Sequence, residues 1–181
     1  MDSPFLSVGQ PKRDAENMIK LNLGCGPDYK PGYVNVDYFA LHPVDMRVDL
    51  TAFNWPWADG SVDQVHMNHV LEHLIDTERT VREIHRILKS GSVFWGQVPF
   101  CWSDNGVTEY GHVHLFHWYS FYSMEKIGFK CNASPAVLSN GDPNQNWRRR
   151  IRNLVPLKKV LTSIGVRNMY DVINFELTKC S

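Results

Sequence analysis

No stretch of this chain approaches the roughly 18 consecutive apolar residues that a membrane-spanning helix requires, and its opening, MDSPFLSVGQPKRDAENM, lacks the basic start and continuous apolar block of a secretory leader. A cytoplasmic location with no transmembrane segment is the expectation. Neither sign of charge is in excess: 19 Lys and Arg balance 19 Asp and Glu, which removes the long-range positive field of proteins that coat nucleic acid. Cysteine is sparse and scattered, at positions 25, 101, 131 and 180, without a C-x-x-C pair. Neither a disulfide framework nor a thiolate zinc site is therefore expected. Internal repeats and low-complexity tracts are lacking as well. What is present is ordinary for a soluble globular chain: 181 residues, 43% hydrophobic and 12% aromatic, a length that suits one core but not two ordinary enzyme domains.

Residues 1–18 are polar, contain two prolines and read as an N-terminal arm; residues 19–181 read as one domain. Short β-type runs follow one another at IKLNLG (19–24), YVNVD (33–37), MRVDL (46–50), VDQVHM (62–67) and SVFWGQVP (92–99). Runs in this spacing, separated by turns or a helix, favour a parallel sheet. From Thr77 to Lys89, Val81, Ile84 and Leu88 recur at helical spacing. Asp76 or Thr77 can cap the start, and Gly91 can supply the left-handed residue beyond the end. This segment predicts a right-handed crossover helix. A second helix is predicted over about 120–126, a sixth strand over 129–137 and a seventh over 174–179. Between the last two strands, about 138–168 reads as an irregular and basic insertion.

The chemistry-bearing residues stand at the ends of these runs. Gly24 and Gly26 directly follow the first strand, where a missing side chain permits a sharp turn and lets a ligand approach the main chain. Asp37 closes the second strand beside that turn, where a carboxylate can accept hydrogen bonds from both hydroxyls of a ribose. Asp49 closes the third, placed to accept from an adenine amino group, and Asn68 and His69 follow the fourth. In an open parallel sheet such positions face one crevice outside the carboxyl ends of the strands. Each alone reads more readily as a turn former; the joint placement is the signal.

Taken in order, LNLGCG (21–26), YVNVD ending in Asp37, Asp49-Leu50, WADGSVDQVHMNHVLEHL (57–74), REIHRILKSGS (82–92) and the GHVHLF…GF stretch (111–129) resemble the class I S-adenosylmethionine-dependent methyltransferases, in particular their small type 11 domains. The resemblance covers about Ile19 to Phe129. It implies an α/β, Rossmann-like, mostly parallel seven-stranded sheet, of order 3-2-1-4-5-7-6 with the last strand antiparallel. It also implies S-adenosylmethionine as the cofactor. The glycine turn with Asn22, Gly24, Cys25 and Gly26 would hold the methionine part, Asp37 the ribose, Asp49 and Leu50 the adenine, while Asn68 and His69 line the cofactor. Three departures are visible. Family members usually carry an acid two before the first glycine, where this chain has Asn22. Asp37 follows Gly26 too closely for a full crossover helix, so the first crossover is expected to be a shortened loop. The Asn-Pro-Pro-aromatic signature of amino-group methylation on nucleobases and glutamine is absent, and MNHVLEH stands in its place.

Displacement at a sulfonium methyl releases a neutral thioether that needs no protonation, so most acceleration comes from holding acceptor and methyl collinear in a dry pocket. A base is needed only for an acceptor that arrives protonated, and histidine suits that task. His69, His112, His114 and His117 are the candidates, with His112 first because its loop is expected over the methyl end. On paper, His66, His69 and His73 could be joined with His112, His114 and His117 in a three-imidazole metal site. His66 belongs to a strand and His69 to the turn after it, so helical spacing fails across them and no metal is expected. Tyr122 and Lys126 have the spacing of a dehydrogenase pair, but Glu109 stands where the accompanying serine belongs. The expected acceptor is a small molecule or saccharide, methylated at oxygen. Arg148, Arg149, Arg150 and Arg152 beside Trp147 offer a grip for nucleic acid or an anionic surface. Trp102, Tyr110, Phe116 and Trp118 suit a planar acceptor or a homodimer contact. The alternative is a non-catalytic methyltransferase-like module that binds cofactor or partner; a nicotinamide enzyme is the third option.

Overall fold

Alternation of apolar and polar residues along short strands dictates a sheet with two unlike faces. The computed structural model describes residues 18–39, 41–136, 158–163 and 170–181. Its strands are β1 (Lys20–Leu23), β2 (Val34–Val36), β3 (Val62–Asn68), β4 (Leu88–Pro99), β5 (Phe129–Ala136) and β6 (Val172–Lys179), in the order β2-β1-β3-β4-β6-β5. The pairs β1/β2, β1/β3 and β3/β4 are parallel, and β6 runs antiparallel to both β4 and β5. This is the expected Rossmann-like arrangement with one correction. The strand expected over 46–50 does not form: a single parallel bridge joins Met46 to Val36. The chain turns there because the Asp49 carboxylate accepts from both the amide and the hydroxyl of Thr51, at 2.8 and 2.6 Å, a local pairing that competes with a strand ladder. Among the described residues the sheet therefore has six strands.

Register separates the two faces. Val34, Leu21, Val65, Phe94, Leu177 and Cys131 are successive partners across the sheet and form an apolar row. The neighbouring row, Asn35, Asn22, His66, Trp95, Glu176 and Asn132, points the other way. Sheets of this class usually carry helices on both faces. Here the short crossover over residues 25–33 contains no helix, and one face of the sheet is correspondingly polar.

Helix α1 (Thr77–Ile87) adds Val81, Ile84 and Ile87, all fully buried, to the core; burial of each such side chain stabilises by about 1.5–3 kcal/mol. Asp76 caps it, its carboxylate accepting from Arg79 N at 2.9 Å. Gly91 does not end the helix as expected. Leu88 passes straight into β4, and Gly91 (φ 76°) lies within that strand. The carbonyls at the helix end are met instead by Lys179, whose Nζ donates to His85 O and Leu88 O, each at 2.8 Å. The helix expected near 120–126 is α3 (Trp118–Tyr122) with a following 3-10 turn, Ser123–Ile127. Two short helices were not anticipated: α2 (Asp104–Thr108) and α4 (Lys158–Ser163), the latter within the segment expected to be irregular. The N-terminal arm up to residue 17, Trp147 and the arginines at 148, 149, 150 and 152 lie outside the described residues. No helix among the described residues is long and apolar enough to cross a membrane.

From β1 the sheet extends to β2 on one flank and to β3 on the other. The carboxyl end of β1 is thus the topological switch point at which such sheets bind ligands.

Candidate functional site

A cleft of about 450 Å³ opens at this switch point, a size suited to a small ligand. Gly24 reaches it from the bend after β1, Asp37 from the end of β2, Asp49, Leu50 and Thr51 from the turn that replaces the third strand, and His69 from the turn after β3. Gly24, Asp37, Asp49, Leu50 and His69, all expected at the site, are therefore brought together. Asn22, Cys25, Gly26, Asn68 and His112 are not among the residues that line it.

The bend is locked from within. Gly24 N and Cys25 N both donate to Val36 O, at 2.8 and 3.0 Å. Gly26 N donates to Asp37 Oδ2 at 2.9 Å, and Phe39 N donates to Asp37 Oδ1 at 3.0 Å. Each carboxylate oxygen keeps a second lone pair for a donor in the cleft. Glycine is required at position 24, where φ is +67° and a Cβ would lie 2.6 Å from Val70 Cγ2; at Gly26 nothing stands within 4 Å of that position. Asp49 is held below the usual carboxylate range, first by the Thr51 hydroxyl and then by the Thr51 amide. The wall thus offers two carboxylates together with the apolar residues Val48 and Leu50.

Tyr38 and Phe39 also line the cleft, 57% and 76% exposed, with their rings edge to face at 5.2 Å. Sequence reasoning missed them, although two aromatics directly after a strand-closing acid were a usable signal. Val70 and Leu74, from the turn after β3, were missed too, and His73, named above among the histidines of the three-imidazole set, lines the cleft as well.

The residues that stay off the wall do so for identifiable reasons. Asn22 is buried on the polar face; its Nδ2 donates to Asp28 O at 2.7 Å and Asn35 Oδ1 at 2.9 Å, while its Oδ1 pairs with His66 Nδ1 at 2.8 Å. An acid at this position could not donate these bonds, which explains the departure from the family pattern. Asn68 follows His66 by two and shares its face, where it lines a separate cavity with Trp95, Gln97 and Asn174. Cys25 is buried, its thiol pushed up to about 11 by desolvation and then by the Asp37 charge.

His69 reaches the cleft through a left-handed backbone, φ 55°, uncommon for a side-chain-bearing residue. Its amide donates to Gln97 O at 2.9 Å, and its Nδ1 lies 3.2 Å from Glu72 Oε1. That hydrogen bond raises its pKa against the opposing effect of burial. His112, expected over the methyl end, instead has a buried imidazole, 4% exposed, edge-on to His73 with ring centres 4.8 Å apart. His114 Nε2 meets Ile75 O at 2.9 Å, and His117 caps α3; both rings serve the loop rather than the cleft.

Residues 34–96, from β2 into β4, match a family model described as a methyltransferase domain. A comparison with curated proteins finds no match. Among solved structures, a SAM-dependent methyltransferase from Archaeoglobus fulgidus gives a TM-score of 0.64 at 17% identity, covering 90% of this chain and 86% of that one. A SAM-dependent methyltransferase from Thermotoga maritima gives 0.62 at 15% identity, covering 89% and 81%. A chain from the complex between the Haloferax volcanii Trm112 methyltransferase activator and a methyltransferase gives 0.59 at 16% identity, covering 91% and 83%. At these identities the likeness to solved structures shows the fold.

Proposed function

We infer that this chain is a class I S-adenosylmethionine-dependent methyltransferase with a type 11 domain and that it transfers the cofactor's methyl group to a small-molecule or saccharide acceptor, at oxygen. The observation that carries this reading is the convergence of Gly24, Asp37, Asp49 and His69 on one cleft at the switch point of the sheet. When bound, the cofactor supplies a methyl group on a sulfonium, whose departure leaves a neutral thioether. The protein's part is to bind, orient and exclude water. Asp37 accepts from the ribose hydroxyls and Asp49 from the adenine amino group, while Val48, Leu50, Tyr38 and Phe39 offer apolar surface to a planar base. Collinear holding of acceptor and methyl then supplies most of the acceleration. His69 replaces His112 as the base for an acceptor hydroxyl, because His69 lines the cleft and Glu72 orients its ring.

The test is transfer of labelled methyl from S-adenosylmethionine to panels of saccharides, small alcohols and RNA. Label in a saccharide or small alcohol, with kcat lowered in His69→Gln and cofactor affinity retained, is the expected result; label confined to RNA refutes the acceptor class. A second reading, a module that binds the cofactor without turnover, is favoured by one observation: the amides of Gly24, Cys25 and Gly26 are all engaged within the protein. In that case S-adenosylhomocysteine binds and no acceptor is labelled.

A further inference from the structure

We propose that Glu72, His73 and His112 form a binding site for a divalent cation of the zinc type, beside the cleft. One donor atom from each of the three lies within 4.8 Å of the others. Two of the side chains carry a buried polar atom without a hydrogen-bond partner, Glu72 Oε2 and His112 Nδ1. Glu72 is 1% exposed and the His112 imidazole 4%. Unpaired polar atoms at such depth are unfavourable and ask for an explanation, an ion among them.

Glu72 and His73 commit their other polar atoms in the manner that prepares metal ligands, and His112 Nε2 lies 3.8 Å from Glu109 Oε2. Glu72 Oε1 pairs with His69 Nδ1 at 3.2 Å, which leaves Oε2. His73 Nδ1 lies 3.1 Å from Gly111 O. A carbonyl can only accept, so Nδ1 carries the proton and Nε2 keeps its lone pair. The two segments are also stitched together by backbone. Val113 N and His114 N both donate to Glu72 O, at 2.8 and 3.3 Å, and His114 Nε2 meets Ile75 O at 2.9 Å. The donors are thereby held close before any ion arrives.

Two imidazoles and one carboxylate make a set that suits zinc and leaves a fourth position for water or substrate. Zinc bonds of about 2.0–2.2 Å place tetrahedral donors about 3.4 Å apart, so an ion would draw in any donors that stand nearer the 4.8 Å limit. His73 belongs to both the cluster and the cleft wall, so an ion here stands at the edge of the cleft. An acceptor hydroxyl coordinated to it would lose its proton more readily. The binding itself does not depend on the methyl-transfer reading. The competing explanation is a direct hydrogen bond between Glu72 Oε2 and His112 Nδ1, closed by a small rotation.

The metal-free full chain is titrated with Zn²⁺ against a chromophoric chelator, and with Co²⁺ by visible absorption. One ion per chain is expected, with Co²⁺ bands of a four- or five-coordinate site. Binding should weaken at least about tenfold in His73→Ala and in His112→Ala, and stay unchanged in His42→Ala, an exposed histidine outside the cluster. His73 is exposed, so His73→Ala decides the matter even if His112→Ala does not fold. Failure of the wild type to take up one equivalent, or a loss below tenfold in His73→Ala, overturns the site and leaves the direct Glu72–His112 pair.

Discussion

Acidification from pH 7 to pH 5 should weaken this fold measurably through one buried ring, His66. Asn22 uses its amide nitrogen as a donor to Asp28 O and Asn35 Oδ1, so its oxygen faces the ring, and His66 Nδ1 must carry the proton at 2.8 Å. Burial first, and the Lys30 charge second, hold the imidazole down at about 4 against an ordinary value of 6.5. The unfolded chain therefore takes up a proton below pH 6.5 that the folded chain refuses until about pH 4. Stability from this site is complete above that window and is lost as the pH falls through it. At pH 5 the unfolded ring is almost wholly protonated and the folded ring about one-tenth so, and linkage gives a loss of roughly 2 kcal/mol relative to pH 7. His66→Asn keeps a donor for Asn22 and removes the titration. Urea unfolding of both proteins at pH 7, 6 and 5 is the assay. The wild type should lose about 2 kcal/mol more than the variant over this range; parallel pH profiles would refute the reasoning, whatever the variant's absolute stability.

Other consequences can be checked on the same material. Gly24→Ala drives a Cβ to 2.6 Å from Val70 Cγ2 at φ +67° and should destabilise by about 1–3 kcal/mol. Gly26→Ala, with open space around the added carbon, should lose only the backbone strain of about 1 kcal/mol; equal losses in thermal melts would contradict the assignment of Val70 to that contact. Lys179→Met withdraws both donors from the carbonyls at the end of α1 and should cost about 1–2 kcal/mol in chemical denaturation, whereas no change would mean that water serves those carbonyls equally well. Asp49→Ala should weaken S-adenosylhomocysteine binding roughly tenfold by calorimetry, and an unchanged affinity would remove Asp49 from the adenine subsite.

Legibility in the sequence followed the physics of each signal. Helix α1 was plain because Val81, Ile84 and Leu88 recur at helical period behind a capping acid. Asp37 and His69 were legible because a position at the end of a parallel strand carries its own geometry; Asp49 reaches the same cleft from the turn that replaces the expected third strand. MRVDL (46–50) alternates like a strand, yet Asp49 pairs with Thr51 next to it, and that local competition is invisible to a periodicity count. Gly91 looked like a helix stop because nothing in the sequence announces that Lys179 caps the same carbonyls from the far end of the chain. Asn22 and Asn68 were placed by strand end alone, without following the alternation that turns both toward the polar face. His112 and Glu72 meet only because loop 111–114 is stitched to the turn after β3, a contact no spacing rule reaches.

The most direct test of the cleft assignment is calorimetric titration of the purified chain with S-adenosylmethionine and S-adenosylhomocysteine, repeated with Asp37→Ala after its melting behaviour has been matched to the wild type. The expected result is one ligand per chain, with affinity reduced at least about tenfold by the substitution. No heat from either ligand, or the same affinity with and without the Asp37 carboxylate, would contradict it.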